Sequence, residues 1–118
     1  MRHRKAKNRL SKPADQRRAL LRSLTTELFR HGQITTTEAR AKALRISADS
    51  MVTLAKRGDL HARRQAESFI LDGDVTKRLF TELAPQFKER NGGYTQIIKT
   101  APRGGDNAPM AIVRLVEA

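Results

Sequence analysis

Nine lysine and arginine side chains lie among the first 22 residues, against the single carboxylate of Asp15. Ammonium and guanidinium groups bind phosphate oxygens, and arginine does so with two parallel hydrogen bonds. Six of the nine lie between Met1 and Lys12, together with only one large apolar side chain, Leu10. A segment with so much charge and so little apolar surface cannot fold alone. We therefore interpret residues 1–13 as a basic arm, disordered when free, that becomes ordered on a polyanion.

The charge of the whole chain is also polarised. The net charge is +12, and residues 1–71 contain 17 basic and 6 acidic residues, whereas residues 72–118 contain 7 and 6. A polarised charge favours a fixed orientation on an anionic partner, and a strongly basic protein of this kind predicts nucleic acid. No apolar run approaches the roughly 20 residues that span a bilayer, and the N-terminus lacks the apolar core of a signal peptide. We expect a soluble protein without a membrane partner.

The candidate RNA-binding residues are the basic side chains of this half, one aromatic ring and one cation of a later loop. With four Phe, mostly at core positions, and one Tyr, the chain has little material for stacking on bases. Contact with phosphate and 2′-hydroxyl groups of folded RNA, read by shape, is therefore the predicted mode. The candidates are Arg2, His3, Arg4, Lys5, Lys7, Arg9, Lys12, Arg17, Arg18, Arg22, Arg40, Lys42, Arg45, Lys56, Arg57, Arg63, Arg64, Tyr94 and Arg103.

Other chemistry has little support in the residue types and their spacing. The three histidines, His3, His31 and His61, are scattered and lack a metal-ligand spacing such as H-E-x-x-H, and the absence of cysteine excludes disulfides and thiolate metal sites. The pairs Gly92–Gly93 and Gly104–Gly105 lack the strand-to-helix setting of a phosphate loop and indicate turns. No nucleophile with a base can be assembled. We expect no enzyme activity, metal, cofactor or small-molecule substrate.

Helical periodicity predicts the first two helices. The first is predicted over residues 14–31, with Asp15 in its first turn and Gly32 at its end. A short strand around Ile34 follows. Thr35 or Thr36 is then predicted to cap a second helix that ends at Gly58, with Glu38 completing a capping box after Thr35.

Two further helices are predicted from aspartate and glycine signals. Asp59 is expected to cap the third helix and Gly73 to end it. Asp74 is then expected to cap the fourth, and Pro85 to stop it. The short connections between these helices favour neighbouring packing.

The last third of the chain changes from helical to strand-like patterning. The runs YTQIIKT and PMAIVRLV are joined by a glycine-rich stretch and predict an antiparallel hairpin. We expect the strand at Ile34 to join it, because a lone hairpin is marginally stable. The predicted fold class is α+β in two layers: helix, strand, three helices and β-hairpin, with a small three-stranded sheet packed on the helices. Residues 14–118 would form one domain behind the arm, and its predicted core includes Leu24, Leu28, Leu44, Val52, Phe69, Leu79, Ile98 and Val113.

Five segments of the chain resemble the bacterial ribosomal protein L17 family of the large subunit. They are, in order, MRHRKAKNRL, ITTTEARAKALR, LAKRGDLHARRQA, LAPQFKERNGGYTQIIK and RGGDNAPMAIV. The resemblance spans nearly the whole chain. It implies a structural protein that binds large-subunit ribosomal RNA near the peptide exit side, inserts its arm between RNA helices and contacts neighbouring ribosomal proteins as a monomer within the ribosome. The implied fold agrees with the one above.

Two departures from the family pattern bear on the details. Relatives commonly have a denser run of arginines where this chain has Pro102, Arg103, Gly104 and Gly105, which leaves Arg103 as the candidate of that loop. The segment KPADQRRALLR resembles the cyanobacterial and plastid version. The expected location is the cytoplasmic ribosome, with the plastid stroma as the alternative.

Two functions from other classes stay open at this point. A DNA-binding chromosomal or regulatory protein would share the charge. A helix-turn-helix with base-reading side chains on an exposed second helix would favour that class. The helices here carry their charge broadly instead. An RNA-processing enzyme would need a cluster of carboxylates or histidines, which the sequence does not offer.

Overall fold

The computed structural model of the chain describes residues 13–116. The first helix, α1, spans Ala14–His31, as predicted. Asp15 Oδ1 accepts a hydrogen bond from the main-chain N–H of Gln16 at 2.9 Å, so its carboxylate serves the first turn as expected. Gly32 ends the helix with φ +84° and donates its N–H to the carbonyl of Leu28 at 2.7 Å, a left-handed cap that glycine adopts without strain.

The second helix, α2, spans Glu38–Arg57, and its cap differs from the prediction. Thr37, and not Thr35 or Thr36, is the N-cap, because its side chain accepts a hydrogen bond from the main-chain N–H of Arg40 at 3.4 Å. Thr35 and Thr36 are paired in a β-ladder instead. The strand therefore continues to the residue before the helix.

The third helix, α3, spans Leu60–Phe69 and starts as predicted, with Asp59 Oδ1 accepting from the N–H of Ala62 at 2.7 Å. Its predicted end at Gly73 is wrong. The helix ends at Phe69, the backbone of the following Ile70 is extended, and the N–H of Leu71 donates to Thr26 Oγ1 of α1 at 3.1 Å. This contact with α1 fixes the connection earlier than the glycine signal indicated.

The fourth helical segment begins and ends differently from the prediction. Asp72, and not Asp74, caps α4 (Gly73–Arg78), because Asp72 Oδ1 accepts from the N–H of Asp74 at 2.9 Å. A π-helical turn, Leu79–Leu83, continues into the short α5 (Ala84–Gln86). Pro85 therefore does not stop the segment. The wider turn already interrupts the regular hydrogen-bond pattern, so a proline just after it removes no established bond.

The strands form one antiparallel sheet in the order β1 (Gln33–Thr37), β3 (Met110–Leu115), β2 (Thr95–Thr100). The predicted hairpin and the addition of the first strand to it are both confirmed. Ile34 and Ile97 each pair with Val113, and this row faces the helices.

One core lies between the sheet and the helices, which confirms the α+β class. Five of the eight predicted core residues are buried, and Leu24 and Phe69 pack partly buried against them. The prediction that Ile98 lies in the core is wrong. Ile98 pairs with Ile112 on the opposite face of the sheet, and Ile97 takes the core position. The buried predicted residues are Leu28, Leu44, Val52, Leu79 and Val113.

Candidate nucleic-acid interface

The predicted basic arm lies almost entirely outside the described residues. Arg2, His3, Arg4, Lys5, Lys7, Arg9 and Lys12 precede Pro13, where the described chain begins. Pro13 leads directly into α1, and two further candidates, Arg17 and Arg18, lie near the start of that helix.

Two arginines distant in sequence line one open hollow on the body. Arg18 of α1 and Arg57 in the last turn of α2 both line a space of about 810 Å³, together with Ser50, Gln65 and the 70% exposed Ile46. Arg57 Nη2 also lies 3.2 Å from Asp59 Oδ2. Because exposed ion pairs are weak, this contact leaves Arg57 able to exchange partners.

The start of α2 carries three more candidates, Arg40, Lys42 and Arg45. Lys42 Nζ lies 3.4 Å from Glu38 Oε1, and Lys99 Nζ lies 3.6 Å from the same oxygen. One carboxylate shared by two lysines leaves a local positive charge. Arg45 is exposed and has no salt-bridge partner among residues 13–116.

A half-buried carboxylate lies one turn after Arg45. Burial raises the pKa of Asp49, while the hydroxyl of Thr95, whose Oγ1 donates to Asp49 Oδ1 at 3.3 Å, and the charge of Arg45 act against that rise. The charges of Asp49 and Arg45 therefore partly offset each other on this face of α2.

Arg22 has a structural contact that the sequence did not indicate. Its Nε donates to the main-chain carbonyl of Phe69, the last residue of α3, at 2.8 Å. A guanidinium that satisfies a helix C-terminal carbonyl also complements the helix dipole. Arg22 thus links α1 to α3, whatever its remaining donors contact.

Lys56 and Tyr94 form a second internal contact, which corrects the prediction of a stacking ring. Tyr94 is only 3% exposed, its ring centroid lies 5.3 Å from that of Phe87, and Lys56 Nζ donates to its hydroxyl at 3.0 Å. Lys56 Nζ also donates to the carbonyl of Arg90. The hydrogen bond from Lys56 lowers the pKa of Tyr94. A buried ring cannot stack on a base, so Tyr94 is a core side chain.

The two arginines of α3 differ in their surroundings. Arg63 Nε lies 3.2 Å from Glu67 Oε1, and its guanidinium carbon lies 5.6 Å from the ring centroid of Phe80. Arg64 is exposed and has no salt-bridge partner in the part of the chain that the structure describes. Of the two, Arg64 is the better placed to exchange water for a phosphate.

Arg103 stabilises its own loop. Its Nε and Nη2 donate to Asp106 Oδ1 and Oδ2 at 3.0 and 2.7 Å, and the N–H of Ala108 donates to Asp106 Oδ1 at 3.2 Å. These contacts, led by the Arg103 hydrogen bond, lower the pKa of Asp106 to about 2. A bidentate pair satisfies the guanidinium locally, so the loop offers RNA less charge than the sequence indicated.

Sequence reasoning gave little weight to the cations after residue 71. Arg78 pairs with Glu82, but Lys88 is exposed and has no salt-bridge partner within residues 13–116. The near-neutral charge balance of residues 72–118 gave no signal for Lys88, because a net charge does not show which cations are paired.

Two features are absent from residues 13–116: a cluster of metal-ligating side chains and an apolar helix of membrane-spanning length. Residues 13–116 contain no group of three His, Asp or Glu side chains placed to hold a metal ion. His31 Nε2 lies 3.0 Å from Glu27 Oε2, an ordinary contact between successive helical turns. No helix among these residues is long and apolar enough to cross a bilayer.

Comparison with known proteins identifies the family. The family model described as ribosomal protein L17 matches residues 20–116. The chain belongs to the ribosomal protein L17 family. It is 60% identical over 108 residues to the large ribosomal subunit protein bL17 of Caldanaerobacter subterraneus subsp. tengcongensis, which covers 92% of this chain and 96% of that relative. With the same coverage it is 58% identical to bL17 of a Thermoanaerobacter species and 56% identical to bL17 of Clostridium botulinum.

The L17 family match begins at residue 20, within α1, and covers every later described element up to β3. The part of the body that positions Arg45, Arg57 and Arg64 thus lies within the family match. This agrees with the resemblance noted from the sequence segments. It also agrees with the expected absence of enzyme activity, since the family is one of ribosomal proteins.

Proposed function

We propose that this chain is a structural constituent of the large ribosomal subunit that binds large-subunit ribosomal RNA by phosphate and shape contacts. One observation supports this most directly: exposed cations on three helices, Arg18, Arg45 and Arg64, lack a salt-bridge partner within residues 13–116, in a chain of net charge +12. A net positive charge of this size favours a polyanionic partner. The names of the relatives, which are large-subunit proteins, support ribosomal RNA as that polyanion.

The two parts of the chain have different proposed roles. Residues 1–13 act as a basic arm that orders on RNA, and residues 14–118 act as one folded domain that fixes where the arm starts. Each arm cation that meets a phosphate releases counterions and adds affinity. The ordering of the arm on binding offsets part of that gain.

The body adds a weaker set of contacts. The cations proposed to contribute are Arg17, Arg18, Arg40, Lys42, Arg45, Arg57, Arg63 and Arg64, with Arg22, Lys56 and Arg103 committed mainly to internal contacts. Neighbouring large-subunit proteins would be its other partners, with one copy of the chain per subunit. Bacterial relatives support a ribosome of the bacterial cytoplasm. The predicted cyanobacterial or plastid variant is not supported, because the relatives named above come from Caldanaerobacter, Thermoanaerobacter and Clostridium.

Co-sedimentation tests the proposal in its native setting. Large ribosomal subunits are washed at increasing salt and sedimented, and the chain is quantified in pellet and supernatant. A structural constituent should remain with the subunits at salt concentrations that remove loosely adsorbed basic proteins. Release at low salt, or equal binding to duplex DNA of matched length, would contradict it.

A further inference from the structure

A second hollow, of about 450 Å³, lies between α2 and the π-helical turn. We call it the Phe80 hollow, and it is lined by Ala55, Lys56, Phe80, Ala84, Pro85 and Lys88. Its floor combines an aromatic ring, a proline ring and two methyl groups, and its two polar lining residues are both lysines. No carboxylate lines it.

The π-helical turn explains why an aromatic ring is accessible here. Its wider winding, in which the N–H of Ala84 bonds the carbonyl of Leu79 five residues earlier, turns Leu79 and Leu83 into the core. Phe80 is left only partly buried at the edge of that core. Such turns occur frequently at functional sites. Phe69 is also partly buried, but it lines the larger hollow with Arg18 and Arg57, whereas Phe29, Phe87 and Tyr94 are buried.

Three cations lie around Phe80, of which Lys56 is held by internal contacts and Arg63 is paired with Glu67. Lys56 Nζ is fixed by Tyr94 Oη at 3.0 Å and by the carbonyl of Arg90. The guanidinium carbon of Arg63 lies 5.6 Å from the Phe80 ring centroid. Lys88, on the rim, is exposed and has no salt-bridge partner in the described chain. An aromatic floor with cations on several sides suits a flat, polarisable group that carries negative charge beside it.

We propose that the Phe80 hollow receives one unstacked base of the large-subunit RNA, packed against Phe80 and Pro85, with an adjoining phosphate at Lys88. This rests on the proposed function and specifies a contact within it. Bases stack on aromatic side chains irrespective of sequence, and single-stranded loops and bulges present such bases. The chain thus combines phosphate contact with one stacking contact.

Other occupants satisfy fewer of these features. An apolar side chain of a neighbouring protein would cover Phe80 but leave the charges of Lys56 and Lys88 without a counter-charge. A lone phosphate would pair with Lys88 but make no use of the aromatic floor. Only a nucleotide uses both, since its base is flat and its phosphate is anionic.

Affinity measurements separate the stacking contact from charge. Phe80→Leu should weaken binding to protein-free large-subunit RNA by about 5- to 150-fold, the range expected from base–aromatic stacking, without changing the dependence on salt. Phe80→Tyr keeps a ring and should bind like the parent protein. Thermal unfolding of each variant checks that the fold is retained. Unchanged affinity of folded Phe80→Leu would overturn the inference while leaving the proposed function intact.

The rim phosphate has its own matched pair of variants. Lys88→Gln should reduce the slope of log affinity against log salt by about one unit. Lys77→Gln removes an exposed lysine of α4 that does not line the hollow and should leave the slope unchanged. Equal changes of the slope in the two variants would show that Lys88 does not bind a phosphate at the hollow. Failure of the parent protein to bind the RNA at all would instead contradict the proposed function.

Crosslinking in assembled subunits tests the class of occupant. A benzophenone amino acid is placed at position 80, subunits are assembled with the full chain, and illumination is followed by separation of RNA and protein adducts. A crosslink to ribosomal RNA is the expected result. Crosslinking only to another ribosomal protein, or no crosslink, would overturn the inference, and the former would identify the hollow as a protein-docking site.

Discussion

Arg22 of α1 donates a hydrogen bond from Nε to the main-chain carbonyl of Phe69, 47 positions later and at the end of α3, over 2.8 Å. The N–H of Leu71 donates to Thr26 Oγ1 of α1 just beyond it. The connection after α3 is thus held on α1 at two points. An arginine that sequence reasoning assigned to RNA therefore also sets the packing of two helices.

Replacing Arg22 should affect stability before it affects RNA binding. Arg22→Met keeps the aliphatic stem but loses the charged hydrogen bond, and should lower the free energy of unfolding by about 1 to 3 kcal/mol. Arg18→Met, one turn earlier and exposed, is the control and should stay within about 0.5 kcal/mol of the parent. Chemical denaturation measures both. Equal free energies of unfolding for Arg22→Met and Arg18→Met would show that the hydrogen bond from Arg22 to the Phe69 carbonyl does not stabilise the fold.

The core prediction concerns two neighbours on α2 with opposite exposure. Leu44 is fully buried, so Leu44→Ala should cost about 2 to 5 kcal/mol of unfolding free energy. Ile46 is 70% exposed, and Ile46→Ala should change that free energy by less than about 0.5 kcal/mol. A loss well under 1 kcal/mol for Leu44→Ala in urea unfolding would mean that this face of α2 is misassigned.

Local signals predicted three helix boundaries correctly, although those at Gly73, Asp74 and Pro85 were wrong. Gly32, Gly58 and Asp59 lie where glycine and aspartate end or begin helices through contacts within a few residues, and all three were predicted correctly. The cap at Thr37 and the exchange of Ile98 for Ile97 depend on the register with β3. A register shift by one residue moves every side chain to the other face, and the spacing along one strand does not fix it.

The candidate site shows the same limit. The clustering of cations in the first half of the chain is visible in the sequence, but their internal contacts are not. Tyr94 was predicted to be an RNA-binding ring, yet it packs on Phe87 and accepts a hydrogen bond from Lys56. The four Phe were predicted to lie mostly at core positions, yet Phe80, in the π-helical turn, lies at the edge of the core. Both outcomes depend on neighbours far away in the sequence.

The Arg103–Asp106 pair predicts the pH response of the hairpin loop. Because the folded pKa of Asp106 is lowered to about 2 from 3.8, the pair stabilises the loop fully above the ordinary carboxyl range. That stabilisation is lost as the pH falls from about 4 towards 2. Carboxyl carbon NMR should show Asp106 titrating near 2 in the parent protein.

A matched pair of variants assigns the cause of that shift. Arg103→Gln should move the Asp106 titration upwards towards its ordinary range, since the largest cause is removed. Arg114→Gln, on the adjoining strand and paired with Gln96, should leave it where it is. An unchanged titration in Arg103→Gln would contradict the bidentate contact.

The central claim is that residues 1–12 are the main RNA anchor of this L17 family member. Deleting them removes six lysines and arginines but none of the described core, so the body should unfold at a temperature close to that of the parent. A full-length control with glutamine at Arg2, Arg4, Lys5, Lys7, Arg9 and Lys12 separates charge from chain length. If half or more of these side chains meet phosphate, either change reduces the salt dependence of binding.

The deciding measurement is the slope of log affinity for large-subunit RNA against log salt, for the parent, the deletion and the glutamine control. With three or more phosphate contacts in the arm, the slope should shrink by about 2 units or more in both variants, whereas Arg103→Gln alone should change it by no more than about one. Unchanged affinity and an unchanged slope after deletion would contradict the account, and the RNA site would then lie on the helical surface that carries Arg40, Arg45, Arg63 and Arg64.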